Sequence, residues 1–416
     1  MEKNLKDVAR KTKEASYFLA NISSFHKDQF LLQLADNLER DEEEIKEENR
    51  KDLERAKDMG MKPSLLDRLE LSSSRIKAMA SGLREVANFP DPVGEVIEGS
   101  KRPNGLLITK MRVPLGVLAI IYEARPNVTI DSVGLGIKSG NALLLRGSNS
   151  AIHSNQVLVG KTKETLSQCG FPPDVVNLLE CKSHEEVQEL LTLRDYIDVI
   201  IPRGGADLIK LVVENSQVPV IETGVGNCHV YVDGSADWEM AEKIVINAKT
   251  QRPSVCNACE TLLVDNKIAP QFLPRMIHAL EEREVEIRGC EKTRELVKEV
   301  KLATEEDWYA EYLDLILAVK VVGGIEEAIK HINSYGSHHS EAIVTQDYTV
   351  ARKFLEEVDA AAVYVNASTR FTDGGEFGMG AEIGISNQKL HARGPMGLRE
   401  LTTVKYMVWG TGQIRE

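Results

Sequence analysis

The chain has 416 residues, of which 42% are hydrophobic and 28% are charged, and its formal net charge is −13. This length accommodates two or more domains, each with its own hydrophobic core. The negative charge argues against nucleic acid or an anionic membrane as the partner, since both are themselves negatively charged. No apolar run approaches the roughly 20 residues that span a bilayer, and the N-terminal residues lack an apolar signal region. We therefore expect a cytoplasmic protein.

Helices are predicted for the N-terminal part of the chain. Residues 3–58 are rich in charge and carry apolar residues at helical spacing, which predicts two or three amphipathic helices. Ser72 can cap a further helix that runs to about Ala87 and stops before Pro90. We expect these helices to form a layer over a larger core.

A long β-hairpin is predicted next, with Asn104-Gly105 in its turn. A two-stranded ribbon is marginally stable alone and usually lies on another sheet or subunit. The closing segment ELTTVKYMVWG alternates like a strand, so we expect it to pair with the hairpin of a neighbouring subunit. Residues 94–112 and 396–416 are therefore predicted to form a small β oligomerisation arm, and the protein to be a homo-oligomer.

Strand and helix signals alternate through the rest of the chain. The first series of predicted strands is GVLAIIY, ALLLR, DVVNLL, YIDVII and VPVIET, the last at residues 218–223. A second series begins near Cys228, with a helix capped by Asp237. Its predicted strands are 261–265, 315–322, 341–345 and 361–365. Such alternation predicts an α/β fold of mostly parallel sheets with helices on both faces.

Six cysteines are irregularly spaced, which favours reduced thiols over a framework of disulfides. They are Cys169, Cys181, Cys228, Cys256, Cys259 and Cys290. Cys256 and Cys259 form one CxxC pair, but a structural zinc site would need further ligands at a suitable spacing. A thioredoxin-like redox pair is an open alternative. We predict no metal site and expect Cys259 to be a packed side chain on a strand.

The stretch NAKTQRPSVCNACETLLV, from Asn247 to Val264, predicts a catalytic nucleophile. It contains a helix end, a tight turn at Pro253, a thiol at Cys256 and then an apolar strand. A thiol in this position is held by the backbone instead of moving on a long loop. Cysteine is a strong nucleophile near neutral pH, and its thioesters pass a carbonyl group on easily.

Six segments resemble, in the same order, the landmarks of the aldehyde dehydrogenase superfamily. They are GVLAIIYEARPNV, SGNALLLRGSNSA, VIIPRGGADLI, VIETGVGNCHVYV, QRPSVCNA and GPMGLRELTTVKYMV. YEARPNVT, QRPSVCNA and FTDGGEFGMGAEIGIS resemble in particular the members that reduce L-glutamyl 5-phosphate to L-glutamate 5-semialdehyde in proline biosynthesis. The resemblance implies two parallel-sheet α/β domains, one for the cofactor and one for catalysis, an NADPH cofactor and a thioester on the catalytic cysteine.

The resemblance also implies catalytic roles for residues at three positions. Cys256 matches the nucleophile of the family. Glu222 matches its general base, but an acyl phosphate reductase needs no activated water, so Glu222 either deprotonates the thiol or holds structure. The asparagine that contacts the oxyanion in the family falls on Arg125, two residues before Asn127. Either residue is a candidate for the oxyanion contact, and Asn127 is alternatively a helix N-cap.

Cofactor binding is implied at seven residues, although the ordinary GxGxxG fingerprint does not follow the first strand. They are Arg146, Ser148, Asn149, Arg203, Gly204, Gly205 and Glu311. Arg146 stands where the family has a lysine near the adenosine ribose, and Asn149 replaces the glutamate of members that use NAD. A positively charged Arg146 with no carboxylate at residue 149 suits the 2′-phosphate of the cofactor, which favours NADPH over NADH. Glu311 matches the glutamate that holds the nicotinamide ribose, or else is a solvated charge at a helix end.

The implied substrate carries an ammonium, a carboxylate and a phosphate group. The residues predicted to contact it are Arg125, Arg252, Thr372 and Gly374. The predicted domains are 1–93 with 113–228 for the cofactor, 229–372 for catalysis and 373–395 as a glycine-rich active-site segment. The resemblance further implies transient contact with the upstream glutamate kinase.

Two other functions are compatible with the sequence. One is a phosphate-independent aldehyde dehydrogenase that oxidises a semialdehyde. The other is a non-catalytic redox or metal-binding protein built on the CxxC pair. Dependence of the reaction on phosphate separates the first from the reductase, and zinc content with a thiol count separates the second.

Overall fold

The computed structural model describes residues 4–180 and 183–415, which leaves Cys181 outside the described residues. The chain divides into two compact units. The first consists of Met1–Thr223, Gly378–Gly384 and Met396–Glu416, and the second of Gly224–Phe377 and Ile385–Pro395. In the described residues, no helix has the length and apolar character needed to cross a membrane. The assignment of one unit to the cofactor and the other to catalysis stays a prediction.

Five helices open the first unit. They are α1 (Leu5–Leu19), α2 (Ser24–Arg40), α3 (Glu42–Asp58), α4 (Pro63–Leu69) and α5 (Ser73–Asn88). The Ser72 hydroxyl accepts a hydrogen bond from the N–H of Arg75 at 3.4 Å, so the predicted cap of α5 is confirmed. The sequence did not predict α4, because seven residues are too few to show a helical period.

A parallel sheet forms the centre of the first unit. Its chain continues as β1 (Val96–Lys101), β2 (Leu107–Pro114), β3 (Val117–Tyr122), α6 (Asn127–Lys138), β4 (Ala142–Gly147), α7 (Ile152–Gln168), β5 (Val176–Leu178), α8 (His184–Thr192), β6 (Val199–Arg203) and α9 (Ala206–Asn215). Four strands are parallel, in the order β5-β4-β3-β6. Every side chain of β3 is buried, as expected for a continuous apolar strand between two helical layers. The prediction of a parallel sheet is confirmed.

The predicted strand at residues 218–223 is wrong. Only one bridge joins this segment to β6, between Val220 and Ile200. The N–H of Ile200 donates to the Pro219 carbonyl at 2.9 Å, and the N–H of Ile221 donates to the Ile200 carbonyl at 3.0 Å. Pro219 has no N–H to extend this pairing. Glu222 therefore lies outside regular secondary structure.

The second unit is built on a parallel sheet of seven strands, in the order β10-β9-β11-β8-β7-β12-β13. Its elements are β7 (Cys228–Val232), α10 (Trp238–Thr250), β8 (Cys259–Asp265), α11 (Ala269–Glu281), β9 (Glu286–Gly289), α12 (Glu291–Leu296), β10 (Lys301–Leu302), β11 (Ile316–Val322), α13 (Ile325–Tyr335), β12 (Ser340–Val344), α14 (Tyr348–Glu357), β13 (Ala362–Val365), β14 (Ile385–Ser386) and β15 (Gly394–Pro395). The Asp237 side chain accepts from the N–H of Met240 at 2.8 Å, which confirms the predicted cap of α10. Leu262 and Leu263 on β8 pack into different apolar clusters, so the sheet buries both faces.

A three-stranded antiparallel sheet, β1-β2-β16, completes the first unit, where β16 is Thr402–Trp409. The predicted hairpin is confirmed, and Gly105 in its turn has a φ of +93°. β16 pairs with β2 of its own chain along its whole length, from Thr402 opposite Pro114 to Trp409 opposite Leu107. The expected pairing with a neighbour's hairpin is therefore wrong, because the chain's own strand occupies that edge.

Candidate active site

Cys256 lies in the connection between α10 and β8, as the sequence predicted. Gln251 caps the end of α10, and β8 begins at Cys259. Within the connection, the N–H of Ala258 donates to the Val255 carbonyl at 3.1 Å. The Cys256 side chain is half-buried. A short turn between a helix and a central buried strand therefore fixes the backbone of the thiol.

The Cys256 carbonyl is held from two sides. A Cβ at Gly226 would lie 1.6 Å from this carbonyl oxygen, so only glycine allows the close approach of the two backbone segments. The buried Cys228 thiol donates to the same oxygen, with Sγ 3.2 Å away. Burial raises the pKa of the Cys228 thiol well above its usual value, which keeps the donor protonated.

Cys259 has the structural role that the sequence predicted. It begins β8, its side chain is fully buried, and its Sγ lies 3.3 Å from the Thr261 carbonyl oxygen. Burial raises the pKa of its thiol to about 12. The five cysteines in the described residues are free thiols. In the part of the chain that the structure describes, no group of three or more His, Cys, Asp or Glu side chains could hold a metal ion.

Asn257 ties the nucleophile turn (residues 251–258, named for the predicted role of Cys256) to the start of the glycine-rich segment. Its side chain is buried, and Nδ2 donates to the carbonyl oxygens of Arg370 at 3.3 Å and Thr372 at 2.9 Å. The Asn257 carbonyl accepts from the Thr369 hydroxyl at 2.7 Å. These hydrogen bonds fix residues 369–372 to Asn257, the residue that follows Cys256 in the chain.

Arg370 lies beside Cys256 but was not among the predicted site residues. Its Nε donates to Oε1 of Gln251 at 2.9 Å, and Nη1 bonds to Oδ1 of Asn257. Burial, and then the charge of Arg252, lower the pKa of Arg370, whereas Asp373, Cys256 and Cys228 oppose this shift. Arg370 and Arg252 therefore share one electrostatic environment with Cys256. The only signal in the sequence was the position of Arg370 at the start of a glycine-rich segment predicted to be functional.

The other predicted substrate residues of this unit differ in exposure. Arg252 is exposed, and Gly374 is buried. Thr372 is fully buried, with its hydroxyl 2.6 Å from that of Ser340 and 2.7 Å from that of Tyr364. Its N–H donates to Thr369, and its carbonyl accepts from Asn257. All polar groups of Thr372 have protein partners, so it holds this segment in place, and its predicted contact with substrate stays a prediction.

Glu311 is bound to the loop that packs on the backbone of Cys256. Its Oε1 accepts from the N–H of Gly226 at 2.7 Å, and its side chain is half-buried. The preceding 3-10 turn ends at Trp308, so Glu311 is not a solvated charge at a helix end. Its predicted contact with the nicotinamide ribose stays a prediction.

Asn127 and Glu222, the other predicted catalytic residues, belong to the first unit. Asn127 is the first residue of α6, whose N-cap is Pro126, and its Nδ2 donates to Oδ2 of Asp131 at 2.9 Å. The alternative that Asn127 is an N-cap is therefore wrong. Burial raises the pKa of Asp131 to about 6, against the opposing effects of Asn127 and Arg203. Glu222 and Arg125 are half-buried, and their roles stay predictions.

Most of the predicted cofactor residues lie at the carboxyl ends of β4 and β6. Arg146 and Ser148 are half-buried, and Asn149 is exposed. Arg55 of α3, which was not among the predicted site residues, bonds through Nη2 to the Asn149 carbonyl. The structure thus adds a second cation to the segment that follows β4.

The turn from β6 to α9 carries Arg203, Gly204 and Gly205. The N–H of Gly205 donates to Oε2 of Glu123 at 2.8 Å. A Cβ at Gly204 would lie 2.6 Å from the same oxygen, so this turn accommodates a close anion. Glu123 directly follows the last residue of β3 and was not among the predicted site residues.

The sequence model of the aldehyde dehydrogenase family matches residues 1–294. The chain belongs to the aldehyde dehydrogenase family. It is 61% identical to gamma-glutamyl phosphate reductase of Carboxydothermus hydrogenoformans over 98% of this chain and 99% of the relative. The protein of the same name from Dictyoglomus thermophilum is 57% identical over 99% of this chain and all of the relative. The crystal structure of gamma-glutamyl phosphate reductase from Thermotoga maritima superposes with a TM-score of 0.96, at 51% identity and 99% coverage of both chains.

Family membership confirms the resemblance, the fold class and the type of enzyme. Aldehyde dehydrogenase family members are oxidoreductases that act on aldehydes with NAD or NADP. The nucleophile turn, the Gly226 contact and the segment around Arg370 are the parts of this structure from which a specific reaction can be argued.

Proposed function

We propose that this protein reduces L-glutamyl 5-phosphate to L-glutamate 5-semialdehyde and phosphate, with NADPH, in proline biosynthesis. Relatives named gamma-glutamyl phosphate reductase match nearly the whole chain. The structural observation that carries the proposal is the nucleophile turn, in which Gly226 and Cys228 hold the Cys256 carbonyl. A cysteine fixed in this way suits acyl transfer through a thioester.

The first chemical step is the attack of the Cys256 thiolate on the acyl phosphate carbonyl carbon. The S–C bond forms, the C–O bond to phosphate breaks, and phosphate leaves with the electron pair. When NADPH is bound, its nicotinamide supplies the hydride that reduces the thioester carbonyl. Cys256 then leaves as a thiolate while the aldehyde forms. No water takes part, so Glu222 has no hydrolytic role in this reaction.

The oxyanion of each step requires a hydrogen-bond donor, and we predict Asn127 with the N–H of Cys256. One such donor typically lowers the barrier by about 3–4 kcal/mol. The bond from Asn127 to Asp131 sets the orientation of the amide, because a carboxylate accepts only from Nδ2. Arg125 remains the alternative side-chain donor.

The segment after β4 fits the 2′-phosphate of NADPH. In the part of the chain that the structure describes, Nε of Arg146 is buried without a hydrogen-bond partner. A buried donor in this state fits an acceptor group on a ligand, since leaving it unpaired is costly. Arg55, which also lies 3.6 Å from Asp52, adds a cation at Asn149, and residue 149 itself carries no charge. We propose that Arg146, Ser148 and Asn149 hold the adenosine end of the cofactor.

The turn at Gly204 and Gly205 is the proposed contact for the cofactor diphosphate. A helix start binds anions through its free N–H groups. The Glu123 carboxylate already accepts from the N–H of Gly205, so a diphosphate at this position would replace it. Glu311 is the proposed contact for the nicotinamide ribose.

We also propose that the protein is a homo-oligomer assembled through the β1-β2-β16 sheet. Val404, Tyr406 and Val408 alternate along β16 and therefore share one face, and all three are exposed. Exposed apolar side chains in a row are typical of a protein interface. A transient contact with glutamate kinase stays a prediction.

A coupled assay tests the proposed reaction in its reverse direction. The protein is mixed with glutamate 5-semialdehyde, inorganic phosphate and NADP, and the absorbance of the reduced cofactor is followed. We expect reduction of NADP only when phosphate is present. Equal rates without phosphate would contradict the proposal and favour the aldehyde dehydrogenase that oxidises a semialdehyde to the acid. Activity without any nucleophile at position 256 would contradict the thioester route.

A further inference from the structure

Arg370 is a fixed guanidinium whose hydrogen-bond acceptors are neutral. Its Nε and Nη1 bond to the side-chain amide oxygens of Gln251 and Asn257. Two neutral acceptors on one planar group fix its orientation but leave its positive charge in place. Because Gln251 caps α10 and Asn257 follows Cys256, both ends of the nucleophile turn hold this cation.

The charge of Arg370 is not matched by an ion pair within the described residues. In the described parts of the chain, neither Arg370 nor Arg252 has a carboxylate oxygen within 4.0 Å of a side-chain nitrogen. The two arginines repel each other, and Arg370 is half-buried, so its charge is costly in the absence of an anion. Asp373 and the ionised form of Cys256 are the nearby negative charges that favour it.

We propose that Arg370, together with Arg252, binds the phosphate group of the acyl phosphate next to Cys256. This inference rests on the proposed function and assigns a site to its leaving group. Two guanidinium groups without carboxylate partners fit a phosphate, which accepts paired hydrogen bonds from arginine. Arg370 supplies a guanidinium fixed by two hydrogen bonds, and Arg252 supplies a second, solvent-exposed guanidinium.

The position of Arg370 and Arg252 indicates which of the two anionic groups of the substrate they bind. In L-glutamyl 5-phosphate, the phosphate is joined through one oxygen to the carbon that Cys256 attacks. The α-carboxylate lies at the opposite end of the substrate, beyond three further carbons. A cation held by the residue next to the nucleophile is therefore placed for the phosphate.

Arg370 and Arg252 also stabilise the leaving group during the chemical step. As the S–C bond forms and the C–O bond breaks, negative charge moves from the sulfur to the departing phosphate. A guanidinium that is already fixed stabilises the charge on the leaving group without reorganisation. Arg370 thereby contributes to departure of phosphate as well as to its binding.

Inorganic phosphate is the probe for this site, and alkylation of Cys256 is the readout. The full-length protein is treated with iodoacetamide at increasing phosphate concentration, and modification of Cys256 is followed by peptide mass spectrometry. For each variant, we determine the phosphate concentration that halves alkylation of Cys256 relative to the same variant without phosphate. This half-protection concentration does not depend on differences in intrinsic thiol reactivity between variants. We expect Arg370→Gln to raise this concentration about tenfold or more, as for a lost hydrogen bond to a charged group. Arg352→Gln, an exposed arginine on α14 paired with Glu356, is the control and should leave it unchanged.

Two further variants separate charge from structure. Arg252→Gln removes an exposed side chain and should raise the half-protection concentration severalfold even if Arg370→Gln fails to fold. Arg370→Lys keeps the charge and should recover part of the phosphate affinity that Arg370→Gln loses. A lysine variant as weak as the glutamine variant would assign Arg370 a purely structural role and overturn the proposal.

Protection by L-glutamate, which carries the α-carboxylate but no phosphate, forms the second arm. We expect Arg370→Gln to leave protection by glutamate unchanged. Loss of glutamate protection with retained phosphate protection would make Arg370 the carboxylate site and overturn the proposal. Unchanged phosphate protection in both Arg370→Gln and Arg252→Gln would overturn this inference alone. Absence of phosphate protection in the unmodified protein would overturn the proposed function with it.

Discussion

The nucleophile turn contains two cysteines with opposite environments. Cys256 is half-buried, whereas Cys259 is fully buried at the start of β8 with its pKa raised to about 12. We expect Cys256→Ala to abolish turnover while NADPH binding, measured by fluorescence titration, is retained. Cys259→Ala should keep most of the activity, because its thiol is not positioned to react. The reverse pattern would contradict the assignment of the nucleophile.

Glu222 lies in the segment that does not form the predicted strand, and the proposed reaction gives it no water to activate. A thiol with a pKa near 8.5 is only a few per cent ionised at pH 7, but a cation such as Arg370 favours the thiolate without a carboxylate base. We expect Glu222→Gln to lower the rate by no more than about tenfold, or ~1.4 kcal/mol.

The measurements for Glu222→Gln are the steady-state rate and the hydrolysis of the thioester without reduced cofactor, which should be almost undetectable. A loss of a thousandfold or more, with fold and NADPH affinity unchanged, would make Glu222 a general base for Cys256.

Single residues show what the sequence could and could not predict about the site. The position of Cys256 between a helix and a strand was predictable because its motif is local: helix end, turn, thiol and strand follow one another in the chain. Arg370 was not, because its partners Gln251 and Asn257 precede it by more than a hundred residues. Thr372 was assigned to substrate from a glycine-rich sequence, which carries no information about the burial of its hydroxyl between Ser340 and Tyr364.

At the level of elements, the segment after β4 is the part of the chain from which we predict the cofactor preference. The structure places an exposed, uncharged Asn149 beside Arg55, with Arg146 at the end of the strand. Asn149→Glu should therefore reverse or erase the preference for NADPH over NADH, because a carboxylate there repels the 2′-phosphate. The measurement is the ratio of kcat/KM for the two cofactors.

Asn149→Gln is the matched control for this prediction, since it changes size without adding charge and should keep the preference for NADPH. Equal efficiency of NADPH and NADH in the unmodified protein would contradict the assignment of this segment to a 2′-phosphate.

Strands with long apolar runs were predicted correctly, as were elements marked by a cap or a turn, namely α5, α10 and the β1-β2 hairpin. β3, β4, β8 and β11 are buried on both faces, so their sequences carry a strong signal whatever their neighbours. The errors lie where the signal is short or ambiguous. Residues 218–223 are apolar enough for a strand but contain Pro219, and no element was predicted between 283 and 314, where β9, α12 and β10 are each six residues or shorter.

At the scale of the molecule, the order of the elements follows from alternation along the chain, but the pairing of distant strands does not. Alternating strands and helices predict parallel sheets, which both units contain. β16 follows β2 by almost three hundred residues, and its alternating pattern fits an edge on its own chain or on a neighbour equally well. The structure resolves this in favour of the same chain, through a register that uses all eight residues of β16.

The last prediction concerns what the completed three-stranded sheet leaves exposed. Pairing with β2 satisfies one edge of β16 but leaves Val404, Tyr406 and Val408 exposed on one face. If this face joins subunits, Val408→Lys would bury a charge in an apolar contact, which is unfavourable unless the charge is paired. We expect the unmodified protein to have a multiple of the chain mass by light scattering, and Val408→Lys to shift it towards the monomer.

Thr403→Lys is the matched control for Val408→Lys, because residue 403 is exposed on the same strand but points to the opposite face. It should leave the mass of the assembly unchanged, since its charge stays in water. A monomeric unmodified protein would rule out the arm as an assembly surface. An equal effect of the two lysines would show instead that charge on β16 disturbs the sheet itself, because only an interface distinguishes one face of the strand from the other.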